Sequence, residues 1–203
     1  MKINYATNTI EKPTGKRTPA GVIQFDDLKH FIEIFKEVVD VKSPTDAIAS
    51  WVKGGYPEEQ AIAVLYSVIV CFGGGHRIWG RYHDVYTASI TNINSLLSRA
   101  HRRRNDDATN LRAILSNIKG LGGLAYSTKM LRFLNPNYVV LDSILREEFC
   151  LVESDYDVFA THCRKIAEAL GVTPVDVESG LYAYVQIANP NQRLKDWTRY
   201  RCK

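Results

Sequence analysis

Apolar side chains recur every three or four residues along almost the whole of this chain, and no other feature of it restricts the fold as tightly. That period buries one face of an α-helix, whereas a half-buried strand alternates with a period of two. Leu28, Phe31, Ile32, Phe35, Val38 and Val39 make one such stripe behind the helix-starting run Phe25-Asp26-Asp27. Ser43-Pro44-Thr45-Asp46 supplies a cap and a first-turn proline ahead of Ile48, Trp51 and Val52. Gly54-Gly55 stops that helix and Pro57-Glu58-Glu59 starts the next, which runs to about residue 72. Gly73-Gly74-Gly75 is a break, followed by the segment 76–83. Further helices fit residues 89–102, 108–118, 124–134, 143–149, 155–170 and 174–187. The best extended run, Asn137-Tyr138-Val139-Val140-Leu141, is short. The pattern predicts an all-α protein of about 8–10 helices.

Residues 1–24 carry Pro13, Gly15, Pro19 and Gly21 among polar side chains and are expected to form an extended arm, leaving 25–203 as a single helical domain. At 203 residues, 45% hydrophobic and 24% charged, the composition excludes gross disorder, collagen and a coiled coil. It suffices for one sizeable core, with two small lobes around a cleft as the expected arrangement. The longest apolar run, AIAVLYSVIVCF, is shorter than the roughly 20 residues of a membrane span. The opening MKINYATNTIEKPTGKRTP lacks the apolar stretch of a secretory signal. Cys71, Cys150, Cys163 and Cys202 have no CxxC or Cys/His spacing, which suggests neither a zinc site nor a disulfide framework. A cytoplasmic, reduced monomer with no membrane partner is expected.

The formal charge of +4 says little, but its distribution says more. Arg99, Arg102, Arg103, Arg104, Arg112, Lys119, Lys129 and Arg132 share their window with only Asp106 and Asp107. Arg193, Lys195, Arg199, Arg201 and Lys203 form a basic tail against Asp196 alone, so the remainder of the chain is net acidic. Such a window is either a solvated helix face or a surface that neutralises phosphates. Inside it, Asn117-Ile118-Lys119-Gly120-Leu121-Gly122-Gly123-Leu124-Ala125 joins two amphipathic helices. The first helix must end before Gly120, while Gly122 and Gly123 can take positive φ without a Cβ clash. The second helix then starts with bare backbone N–H groups and the positive end of its dipole, which suits a DNA phosphate. The plainer reading is an ordinary tight connection.

The Ile-x-Gly-Leu-Gly turn at 118–125 resembles the helix-hairpin-helix, a grip on the DNA backbone that ignores sequence. The stretch GGLAYSTKMLRFLNPNYVVLDSIL, with an aspartate behind an apolar run at a helix start, resembles the helix-hairpin-helix DNA glycosylase superfamily, and in it bacterial proteins with an 8-oxoguanine glycosylase fold. That resemblance covers some 30 residues. It implies a two-lobed helical protein that flips a damaged or modified base out of double-stranded DNA and excises it, leaving an abasic site. The base would be 8-oxoguanine-like, or a hypermodified base of phage DNA removed in defence. It gives Asp142 the catalytic role, stabilising positive charge on the sugar as the base leaves. The dipole of the following helix favours a negative charge there. The alternative for Asp142 is a plain helix cap, and both roles can coexist. Bifunctional members carry a lysine immediately after the turn, where this chain has Leu124. Lys129 lies five residues on, about 140° around the helix, and is the second catalytic candidate, with lyase activity left open. Several superfamily enzymes hold an iron–sulfur cluster on four closely spaced C-terminal cysteines, an arrangement this chain lacks, so no cofactor and no metal are expected.

The turn residues Lys119, Gly120, Gly122 and Gly123, with Arg102, Arg103 and Arg104, are the candidates for holding the DNA backbone. Trp51, His76, Trp79 and Tyr126 are the candidates for a pocket that stacks the flipped base, core packing being the plainer reading for each tryptophan. Two competing classes keep the hairpin without the chemistry. One is a non-catalytic DNA-binding module, and the other is a helical protein-interaction domain with an accidental hairpin.

Overall fold

The computed structural model describes residues 1–189, and the basic tail from Arg193 lies outside them. Over these residues the chain is mostly helical, with ten α-helices and a three-stranded antiparallel sheet. It divides into two compact units: Met1–Val38 joined to the chain from Pro136 onward, and Val39–Asn135. The turn of the chain from one unit to the other near residue 38, and its return at residue 136, have no marker in the helical periodicity that suggested a single domain from residue 25.

The first unit opens with the sheet, where the sequence suggested an extended arm. Strands β1 (Lys2–Asn4), β2 (Thr9–Lys12) and β3 (Gly21–Gln24) pair in that order. Asn4 makes the first turn, its Oδ1 accepting from the backbone N–H of Ala6 (3.0 Å) and Thr7 (3.3 Å). Ile10 faces Ile3 on one side and Ile23 on the other, and Ile10 and Ile23 have almost no exposed surface. One cross-strand row of isoleucines therefore gives the sheet its buried face. Helix α1 (Phe25–Val38) follows directly and turns Leu28, Ile32 and Phe35 inward. Its main partner is α10 (Pro174–Ala188), whose Tyr182 and Tyr184 meet Phe35 and Phe31 edge-on. Helix α9 (Tyr156–Leu170) packs on both, and the short α8 (Ser143–Phe149) packs on α10. Residues 137–141 are irregular, not a strand. Val139, Val140 and Leu141 are all buried, so this is a connection sunk in the core rather than one that alternates inside and out.

The second unit is helical throughout. Its elements are α2 (Lys42–Lys53), α3 (Glu58–Tyr66), α4 (His76–Ala88), α5 (Ile90–Arg102), α6 (Ala108–Leu115) and α7 (Leu124–Leu134). The helix expected to run to residue 72 changes at Ser67–Phe72 to a π-helical stretch, from which Gly73 follows. Helix α4 covers the segment 76–83, for which the periodicity predicts no element, and runs on to Ala88. Helices α5, α6 and α7 pack in succession, so the turn between α6 and α7 stands at one end of that series. None of the helices among the described residues is long and apolar enough to cross a membrane.

Candidate nucleic-acid interface

The turn between α6 and α7 has an inner and an outer side. Ile118, Leu121 and Leu124 are each at most 2% exposed and hold it to the core, whereas Lys119, Gly122 and Gly123 face solvent. Gly120 alone of the turn's glycines takes positive φ, +83°, and the expectation that Gly122 and Gly123 would do so is corrected. The reason is a close approach. A Cβ on Gly120 would lie 2.7 Å from Ile78 Cγ2 and 2.8 Å from the Tyr86 hydroxyl oxygen. Tyr86 is fully buried, and its hydroxyl donates to the Lys119 carbonyl at 2.7 Å. Burial, with the neighbouring Tyr82 adding to it, pushes the Tyr86 phenol up to about 12. Ile78, Tyr82 and Tyr86 sit four residues apart on α4 and form the platform under the turn. The sequence marks Tyr82 as a candidate stacking ring, not as part of this platform, although the four-residue spacing was its signal.

Gly122 and Gly123 have open space where a Cβ would stand, with nothing nearer than Ser116 O at 3.8 Å. Gly123, extended at φ −79° and ψ 150°, begins α7 with no side chain capping it. The first-turn N–H groups of α7 therefore open onto a surface of bare glycines, next to exposed Lys119. Arg112 reaches across from α6, its Nε donating to Ser127 Oγ at 3.3 Å.

Not all of the basic window faces outward. Arg132 is 8% exposed and its guanidinium stacks 4.9 Å from the Phe72 ring centroid. Arg102, Arg103 and Arg104 are exposed at the C-terminal end of α5. Arg102 lies over the Tyr56 ring, Arg103 pairs with Asp106 at 2.6 Å, and Arg104 donates to the His101 carbonyl. Two of the three are thus partly engaged in closing their own helix end, where positive charge is favoured.

The candidate base-pocket residues separate. Trp51 has no exposed surface, its Nε1–H donates to Asn94 Oδ1 at 2.9 Å, and Tyr56 meets its ring edge-on. It has no free face on which a base could stack, and it belongs to the core. Tyr126 lies against the triple-glycine loop: its hydroxyl donates to the Gly73 carbonyl at 3.4 Å, and a Cβ on Gly75 would come within 2.6 Å of that hydroxyl. Lys129, one turn further along α7, carries its ammonium 4.9 Å from the Tyr126 ring centroid. His76 is exposed at the start of α4, and Trp79 is half-buried one turn on. Tyr126, Lys129 and the loop leading to His76 are therefore neighbours.

Asp142 belongs to the other unit and is the N-cap of α8. It is 7% exposed, and its Oδ1 accepts from the backbone N–H of Ile144 (3.0 Å) and Leu145 (3.1 Å). The far end of the same helix is anchored by Glu148. That carboxylate is fully buried, accepts from Arg17 N–H (2.6 Å) and from both the N–H and hydroxyl of Thr18, and lies 3.5 Å from the Lys12 ammonium. Burial alone would raise its pKa. The Thr18, Arg17 and Lys12 contacts outweigh burial and lower it. Among the cysteines of the described residues, Cys150 is an exposed free thiol and Cys163 a buried one.

No protein-family model matches the chain, and no match is found among curated proteins or among solved structures.

Proposed function

We propose that this chain is a DNA N-glycosylase that holds duplex DNA by the α6–α7 turn and excises a damaged or modified base. The observation that carries the reading is the two-sided turn: its apolar residues and Gly120 serve the fold, while Lys119, Gly122, Gly123 and the uncapped start of α7 are left for a phosphate. Arg102, Arg103 and Arg104 add positive charge that steers DNA, and Tyr126, His76 and Trp79 are the rings available to a flipped base. Asp142 supplies the carboxylate. As the C1′–N bond breaks, the base leaves with the bonding electrons and takes a proton, water adds to C1′, and Asp142 stabilises the cationic sugar between the two events. Lys129 is the second candidate, as a nucleophile for strand cleavage.

One observation favours a second reading, a DNA-binding module without chemistry: Asp142 is committed to two backbone N–H groups of its own helix. Asp142→Asn separates the readings, because Asn caps a helix about as well as Asp but carries no charge. Free bases are measured by mass spectrometry after incubation with 8-oxoguanine duplexes and with phage DNA containing modified cytosines. A glycosylase releases base in the wild type and not in Asp142→Asn, with duplex affinity kept. Breaks that appear only after hot alkali retire Lys129 as a nucleophile. Absence of release from any of these DNAs, with binding intact, selects the binding module.

A further inference from the structure

The solvent face of α4 carries an arrangement of which the base-excision reading uses Trp79 alone. Trp79 stands at the centre of a ring cluster, with Tyr66 edge-on at 4.9 Å and His83 tilted at 5.4 Å between centroids. Tyr66 is 40% exposed and the His83 side chain 51%, so the outer rim of the cluster meets water. Trp79 is half-buried and its ring also meets the buried Tyr86 ring at 5.6 Å, so the cluster packs on the core by its inner side while Tyr66 and His83 leave its rim open. At about 100° per residue, Gly80 follows Trp79 and His83 around the helix, and Arg77 and Arg81 come next, within about 40° of each other. Both arginines are exposed, and nothing lies within 4 Å of where a Cβ on Gly80 would be. Rings, a bare strip of backbone and two guanidinium groups thus follow one another over about 200° of the exposed side of the helix. Asp84, the one acid of this helix, is exposed at about 140° from Trp79, between Gly80 and Arg77, and its Oδ1 lies 3.2 Å from His83 Nδ1.

We infer that this face of α4 binds single-stranded DNA, bases stacking on the Trp79, Tyr66 and His83 rim and phosphates meeting Arg77 and Arg81 across Gly80. Sequence-independent single-strand sites combine these two elements, because every base offers a π face and every nucleotide a phosphate. The choice of DNA rests on the glycosylase reading above, in which flipping leaves unpaired nucleotides beside the extruded base.

The test uses the full chain and a fluorescent oligo(dT) of roughly twelve nucleotides, with anisotropy titrations between about 50 and 200 mM salt. Trp79→Ala is expected to weaken oligo(dT) binding about tenfold or more. Arg77→Gln combined with Arg81→Gln changes only exposed side chains, so it reports even if Trp79→Ala fails to fold. It is expected to reduce the slope of log affinity against log salt by about 1.4, the counterion release of two single-strand phosphates. Wild-type affinity and slope in both variants would overturn the inference, as would tighter binding of oligo(rU) than of oligo(dT). A labelled duplex is titrated in parallel. Duplex binding that Gly123→Ala weakens, alongside oligo(dT) binding indifferent to the α4 variants, removes this inference alone. Absence of binding to either DNA removes the glycosylase reading with it.

Discussion

Gly120 and Gly123 stand three residues apart in one turn, yet alanine at the two positions should behave in opposite ways. At Gly120 the backbone is left-handed, with φ +83°, which costs an L side chain about 1–2 kcal/mol. The new methyl would also sit 2.7 Å from Ile78 Cγ2 and 2.8 Å from the Tyr86 hydroxyl. Neither atom can swing away, since both belong to the platform under the turn and the hydroxyl is bonded to Lys119. Overpacking of that kind costs about 1–3 kcal/mol. Together they give a loss of about 3 kcal/mol, or about 9 °C in melting temperature for a chain of this size. At Gly123 the backbone already has φ −79°, and nothing lies within 4 Å of the added methyl. Stability there should hold or rise by up to about 1 kcal/mol, because alanine restricts the unfolded chain more than glycine does. Far-ultraviolet circular dichroism in thermal and urea titrations reads both. Duplex affinity should respond the other way: Gly123→Ala sets a methyl over the exposed N–H groups and weakens binding roughly threefold. A Gly120→Ala variant within about 1 kcal/mol of wild type, or a Gly123→Ala variant that loses as much as its neighbour, would refute the division of the turn into an inner and an outer side.

Other substitutions test the remaining parts. Glu148→Gln leaves Lys12 buried without its counter-charge and should cost about 3 kcal/mol in urea unfolding. Because the folded pKa of Glu148 is lowered, its contribution is complete above the ordinary carboxyl range and is lost as pH falls through the lowered value, so the variant should show a shallower acid limb. His101 is held below its ordinary value of 6.5 by burial, with Arg104 adding to it. The unfolded chain therefore takes up the proton more readily, stability falls as pH drops below about 6.5, and His101→Gln should flatten that part of the pH–stability curve. Trp51→Phe strands Asn94 Oδ1 and leaves a void, for a loss of about 2 kcal/mol with duplex affinity unchanged; a change in affinity would return Trp51 to the interface.

Where a segment's structure is decided locally, the sequence was readable. Pro174 with Thr173 and Asp176 announces α10, and Asp142-Ser143 announces α8, because caps and first-turn prolines act within a few residues. Segments decided at long range were not readable. The sheet over residues 1–24 depends on Ile3, Ile10 and Ile23 meeting in register, and short strands broken by Pro and Gly carry too little alternation to show it. Helix α4 has apolar residues at 78, 79, 82, 85 and 86, but Gly80 and the interspersed charges mask the stripe. Trp51 resembles a stacking residue until Asn94, forty-three positions away, is seen to take its N–H. The glycine turn shows both limits. That a turn falls there is local, but which glycine is left-handed depends on Ile78 and Tyr86 of another helix.

The same distinction decides how function can be tested at the two principal positions. In the α6–α7 turn the fold and the proposed grip use different atoms: the inner side chains and Gly120 for one, the outer N–H groups, Lys119 and Gly123 for the other. Deleting one therefore leaves the other intact, and binding measured on a stable variant is informative. Asp142 allows no such division, since the oxygen that caps α8 belongs to the carboxylate proposed to face the sugar. Asp142→Ala removes cap and charge together, with about 1 kcal/mol of stability, and any loss of activity could be traced to either. Asp142→Asn keeps an oxygen for Ile144 and Leu145 and deletes only the negative charge. A chain that keeps its melting temperature and its duplex affinity as Asp142→Asn, yet no longer releases base, has lost what the carboxylate does at the sugar, stabilising the cation or positioning the attacking water, and that is the one result a cap cannot produce.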